Sequence, residues 1–111
     1  QGGRDGMNYL LNTEHEFTAV VCANDEMASG AMKGARDNKL TLPDDCSFVG
    51  FDNAYFAEYL FPQLSTINYP TSEMAVMCTQ WIFKHIYKQE IDTIKNLFIP
   101  TLVRRDSTTL V

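Results

Sequence analysis

Phe17-Thr-Ala-Val-Val-Cys-Ala23 runs directly into Asn24-Asp-Glu26, after which Met27, Ala28, Ala31, Met32 and Ala35 recur at helical spacing. The first run is continuous, apolar and partly β-branched, which predicts a strand covered on both faces. Asn24 or Asp25 can cap the helix that follows, and Asp25 and Glu26 suit the positive end of its dipole. Arg36-Asp-Asn-Lys39 and Pro43 end that helix. After an Asp44-Asp45 turn, Cys46-Ser-Phe-Val-Gly-Phe51 predicts a second buried strand, which stops at Asp52-Asn53.

Upstream, residues 4–12 read as the end of a helix, with Met7, Leu10 and Leu11 on one face. Downstream, residues 54–62 are aromatic-rich and predict a short helix or loop. Leu64-Ser-Thr-Ile-Asn-Tyr69 predicts a third strand, stopped by Pro70. Thr71 or Ser72 would cap a long helix reaching about residue 88. Leu97-Phe-Ile-Pro-Thr-Leu-Val103 predicts a last strand, which Pro100 demotes to an edge or a bulge. The fold class is therefore α/β, with a mainly parallel sheet flanked by helices.

A chain of 111 residues holds one domain, and 45% hydrophobic with 21% charged residues is ordinary globular composition. The net charge of −5 lacks the basic footprint that binding a nucleic-acid backbone needs, so this chain alone is not a DNA reader. No apolar run approaches the roughly 20 residues of a membrane span. Cys22, Cys46 and Cys78 lie far apart in apolar surroundings, which reads as reduced, buried thiols and a cytosolic setting. With only His15 and His85, a dense metal cluster is not expected. Beginning at Gln1 without an apolar leader, the sequence reads as a piece of a longer protein.

Asn24 and Asp52 each follow a predicted strand. In a parallel sheet both emerge at the carboxyl edge, where open α/β folds bind ligands. An ionised Asp accepts from neighbouring hydroxyls and an Asn amide both donates and accepts, a pairing that suits a neutral polyol such as a sugar. From spacing alone, a helix cap at Asn24 and a turn at Asp52 are the simpler roles. A phosphoreceiver-like site built on Asp25, Glu26 and Asp52 ranks lower, because no Lys ends a later predicted strand to balance a phosphoryl charge. Nucleophile elbows, Cys-x-x-Cys and phosphate-binding loops are absent from the sequence, so neither an enzyme nor a cofactor site is expected. Gly30 and Gly34 read as close helix packing, and His85 as structural or surface.

In the long helix, Met74, Met77, Cys78, Trp81, Ile82, Phe83, Ile86 and Tyr87 cover most of the circumference, leaving a narrow polar sector at Gln80, Lys84 and Lys88. Such a helix needs burial on several sides, more than one small sheet supplies, so a partner surface outside this chain is expected. Tyr55, Phe56, Tyr59, Leu60 and Phe61 form a second cluster, either core or oligomer contact.

Three stretches resemble the C-terminal part of the lactose-repressor/galactose-repressor family of bacterial transcription regulators: Phe17 to Met32, Leu42-Pro-Asp-Asp-Cys-Ser-Phe-Val-Gly-Phe-Asp-Asn53, and Pro62-Gln-Leu-Ser-Thr-Ile67 with Tyr69-Pro70. Pro100-Thr-Leu-Val-Arg-Arg-Asp-Ser107 is similar to the galactose-repressor branch in particular, and Gly2-Gly3 fits. The resemblance implies part of an effector-binding domain with a periplasmic-binding-protein-like fold, two α/β subdomains and a sugar in the cleft between them. Residues 1–69 and about 96–111 would belong to the C-terminal subdomain, and the helix in about 70–90 to the N-terminal one. The family's effector-binding positions fall on Asn24 and Asp52, with Tyr69 lining the cleft. Its dimer contacts fall on the exposed side of the helix at 25–36, including Ser29 and Met32, and on Tyr55, Phe56, Tyr59 and Leu60. The implied protein is a cytoplasmic homodimer responding to a galactose-like sugar, binding operator DNA through a missing N-terminal helix-turn-helix, with no membrane partner and no metal. Thr71 departs from relatives that carry a sugar-stacking aromatic there. A sugar-binding protein of a transport system shares the fold and is the alternative.

Overall fold

The computed structural model describes residues 1–92 and 94–109. The expected C-terminal stretch therefore ends two positions outside the described residues. Residues 1–68 with 101–109 form one compact unit, and Tyr69–Pro100 a second.

In the first unit the order is α1 (Gly2–Leu11), β1 (Ala19–Val21), α2 (Asp25–Asp37), β2 (Ser47–Phe51), a 3-10 turn (Tyr55–Tyr59), β3 (Ser65–Asn68) and, after the second unit, β4 (Thr101–Val103). The sheet runs β1-β2-β3-β4. β1, β2 and β3 are parallel, with Val21 opposite Val49 and Phe51 opposite Ile67. β4 lies antiparallel on β3, with Asn68 opposite Thr101. This is the mainly parallel α/β arrangement expected.

The core gathers Met7 from α1, Ala28, Ala31, Met32 and Ala35 from α2, and Phe48 and Leu64 from the sheet side. α1 and α2 approach closely because of glycine. A Cβ on Gly3 would sit 2.0 Å from the Met27 carbonyl oxygen, so no larger residue fits. Gly34 presents the same bare backbone to α1, where a Cβ would lie 3.2 Å from the Arg4 carbonyl oxygen. The Gly30/Gly34 spacing is thus a packing device, as expected.

The end of the chain completes the sheet. Ser107 is fully buried and its main chain and hydroxyl stitch β2 to the start of β3. Its Oγ donates to the Phe48 carbonyl (2.6 Å) and accepts from the Ser65 amide (2.8 Å). Its carbonyl takes the Phe48 amide at 2.7 Å.

Several expectations are corrected. β1 is not covered on both faces: Val20 packs against the core, but Val21 points to the opposite face and is 81% exposed, and on that face Val49 of the interior strand β2 is also only half-buried. The last strand shrinks to Thr101–Val103, since Pro100 has no N–H and pairing begins just after it. Cys78 is exposed, whereas Cys22 and Cys46 are buried.

The second unit carries α3 (Thr71–His85), shorter than the expected reach to residue 88. Neither Thr71 nor Ser72 caps it. Pro70 holds the cap position without a side-chain hydrogen bond, and Thr71 is already helical. No residue of α3 is buried; Trp81 and Ile82 are 51% and 42% exposed, and Ile86 just beyond it 63%. Trp81 stacks on His85 with ring centroids 4.5 Å apart, which gives His85 a surface role.

Candidate functional site

The parallel register of β1, β2 and β3 puts their carboxyl ends on one edge of the sheet. Asn24 and Asp52 both stand there, and Asn68 ends β3 beside them.

Asn24 adopts an extended conformation and its Oδ1 accepts the Met27 amide at 2.8 Å, capping α2. The oxygen is committed to the helix. Among the described residues nothing takes its Nδ2, so a fixed amide keeps two donors untaken. The cap role read from spacing is real, and it leaves a hydrogen-bond donor over.

Asp52 follows Phe51 at φ 109°, and Asn53 follows it at φ 52°. The Asp52 amide donates to the Ile67 carbonyl (2.9 Å), continuing the β2–β3 ladder one step. The side chain is exposed, and among the described residues its carboxylate has no hydrogen-bond or ion-pair partner.

Beneath this turn lies a polar cluster that local sequence reading missed. Asp25, 1% exposed, accepts the Ala54 amide (2.7 Å) and the Thr66 hydroxyl (2.5 Å). The Thr66 Oγ1 in turn accepts the Asn53 amide (3.2 Å). Asn53 donates to Asn68 Oδ1 (3.2 Å) and accepts from Arg105 (2.8 Å). Gly50 makes room for this, since a Cβ there would fall 2.1 Å from Asp25 Oδ1. The carboxylate of Asp25 is thus spent on the fold, and Glu26 beside it is exposed. That arrangement counts against the phosphoreceiver alternative.

Tyr69 is half-buried and opens the second unit, where its carbonyl accepts the Thr71 amide (2.7 Å).

The surface positions divide. Tyr55 and Tyr59 are 83% and 74% exposed, while Phe56, Leu60 and Ser29 are half-buried. Met32, expected on the exposed side of α2, is 1% exposed. It shares a helical face with Ala28 and Ala35, the face that meets the core, so no outer surface of α2 includes it. Glu58 hydrogen-bonds the Tyr59 hydroxyl and raises its pKa. No group of His, Cys, Asp and Glu among the described residues could hold a metal ion.

Residues 3–108 match the family model of the periplasmic binding protein-like domain. The chain belongs to that family. The periplasmic binding protein-like domain here is 40% identical over 106 residues to the HTH-type transcriptional regulator GalR of Escherichia coli K12, covering 96% of this chain and 31% of that protein. Among solved structures it superposes with a TM-score of 0.89 on a sugar-binding transcriptional regulator of the LacI family from Escherichia coli, at 33% identity, over 96% of this chain and 38% of the other. It matches the Escherichia coli transcriptional repressor ascG with a TM-score of 0.85 and 32% identity, over 97% of this chain and 39% of the other. This periplasmic binding protein-like domain thus spans about a third of the length of such relatives, which are transcription regulators and not enzymes. The resemblance drawn from the sequence motifs holds. Among the described residues, no helix is long and apolar enough to cross a membrane.

Proposed function

We propose that this chain is part of the effector-binding domain of a cytoplasmic transcription repressor that governs sugar-metabolism genes and responds to a galactose-like sugar. One observation carries the reading. Asp52, held in a positive-φ turn at the carboxyl edge of the sheet, presents an exposed carboxylate with no partner among the described residues, and Asn24 stands at the same edge with its amide donors untaken among those residues. A carboxylate accepts from adjacent sugar hydroxyls and an amide donates to a ring or hydroxyl oxygen. The likeness to GalR supports the choice of a galactose-like hexose.

In this reading residues 1–69 and about 96–111 belong to the C-terminal subdomain of the complete domain and the helix within about 70–90 to the N-terminal one. Tyr69 lines the effector cleft of the complete domain. Sugar binding favours one domain geometry over another and so shifts the protein between DNA-bound and released states. Operator DNA is bound by a helix-turn-helix outside this chain, since the acidic chain itself offers no basic surface. A homodimer forms through Ser29 on α2 and through the segment carrying Tyr55, Phe56, Tyr59 and Leu60.

The test is calorimetric titration of the full-length protein with D-galactose. Asp52→Ala should weaken binding by about two orders of magnitude, as loss of two hydrogen bonds to a charged acceptor requires. Equal affinity in a folded Asp52→Ala protein would remove Asp52 from the site.

A further inference from the structure

We propose that Arg105 is a positioning residue for Asp52: its guanidinium, bonded to Asn53, clamps the turn that sets the Asp52 carboxylate at the sheet edge. The inference rests on the reading of Asp52 as the effector's acceptor. Asp52 and Asn53 are consecutive non-glycine residues at φ 109° and 52°. Asparagine tolerates the second value, but 109° lies outside the left-handed well and persists only where the surroundings enforce it. Every amide of the turn is held: Asp52 by the Ile67 carbonyl, Asn53 by Thr66 and Ala54 by Asp25.

Those bonds fix the backbone from the side of the sheet. The outer side is held through the Asn53 carboxamide, whose Nδ2 donates to Asn68 Oδ1 at 3.2 Å and whose Oδ1 accepts Arg105 Nη2 at 2.8 Å. Arg105 Nη1 donates to the Leu64 carbonyl at 2.8 Å. A planar guanidinium therefore spans from the entry of β3 to the turn, with its two terminal nitrogens on different partners. A lysine ammonium is a point donor and does not bridge that pair with the same geometry. Since the Asp52 carboxylate has no side-chain partner among the described residues, its placement is set by this backbone alone.

The clamp is tested without a ligand. In this chain, three-bond HN–Hα and one-bond Cα–Hα couplings at Asp52 and Asn53 distinguish positive from negative φ. Arg105→Met and Arg105→Lys should move both residues toward negative φ while α1 and α2 keep their couplings. Should Arg105→Met not fold, Asn53→Gly removes the same bond in a residue that accepts positive φ freely, and Asp52 is read instead. Unchanged couplings in a folded variant overturn the proposal whatever the sugar does.

In the full-length protein, Arg105→Met should weaken D-galactose roughly tenfold, as residues that orient the ligands of a metal site do. It should add nothing to Asp52→Ala, because it acts through Asp52. Full additivity would place Arg105 in another role. Equal affinity in Asp52→Ala would overturn the effector reading and leave the clamp to be judged by the couplings.

Discussion

The Asp25 carboxylate and the Thr66 hydroxyl meet at 2.5 Å across the sheet edge, 41 residues apart in the chain, joining the first turn of α2 to β3. The same carboxylate holds the Ala54 amide, so one buried side chain ties together the helix, the turn after β2 and the third strand. Asp25→Ala leaves the buried Thr66 hydroxyl and the half-buried Ala54 amide without their acceptor and should destabilise the fold by about 3 kcal/mol. Asp25→Asn keeps an acceptor for one of them and should fall between. Urea unfolding followed by circular dichroism reads the difference; an Asp25→Ala protein as stable as wild type would contradict it.

Asn24 separates two roles by atom. Its Oδ1 caps α2, so Asn24→Ala should cost about 1 kcal/mol of stability. Asn24→Asp keeps an acceptor at the cap and suits the helix dipole, but removes the amide donors. The Asp variant should therefore be as stable as wild type in thermal unfolding and bind D-galactose more weakly in the full-length protein. Equal affinity would confine Asn24 to capping.

Ser107→Ala takes the hydroxyl from between the Phe48 carbonyl and the Ser65 amide, both otherwise shut away from water. The expected loss is about 2–4 kcal/mol, read from denaturant midpoints. A change within experimental scatter would mean that water replaces the hydroxyl.

Alkaline stability should follow the buried thiols. Burial, aided by the Asp45 carboxylate, pushes Cys46 up from 9.0 to about 11, and burial also raises Cys22. In the unfolded chain these thiols ionise at ordinary values, so above about pH 9 the unfolded state has released protons that the folded state keeps. Their contribution is constant below that pH, and stability falls as pH rises toward 11. Cys46→Ala should flatten this decline in urea unfolding between neutral and alkaline pH. A decline as steep in Cys46→Ala would assign it to other groups.

Periodicity and local signals carried much of the fold. The apolar run before Asn24, the spacing of Ala28, Ala31 and Ala35, and Pro70 and Pro100 as stops placed the elements within a few residues. What failed depended on neighbours. The run from Phe17 to Ala23 records a strand suited to cover, not whether a neighbour supplies it, and Val21 stands open on the uncovered face. Met32 shows two lines of inference in conflict. Helical spacing put it with the core and family position put it outside; packing agrees with the spacing. Of the site, Asn24 and Asp52 were visible because each ends a strand. The bonding roles of Asp25, Asn53 and Arg105 were not, because their partners lie 13 to 52 residues away and no local pattern encodes them.

The pairing of Asn68 with Thr101 makes the outgoing and returning chain neighbours in an antiparallel ladder. Tyr69–Pro100 is therefore an insertion whose two ends join the ladder at one and the same rung. Strand ends so placed are those that a tight turn of about two residues, such as Asn-Gly, joins into a hairpin. Replacing the whole excursion by that turn would give a miniature α/β unit with β3, β4 and the Arg105 clamp on one hairpin. The same seam would accept a graft: an unrelated domain with closely spaced termini could be spliced in without changing the register of β3 on β4.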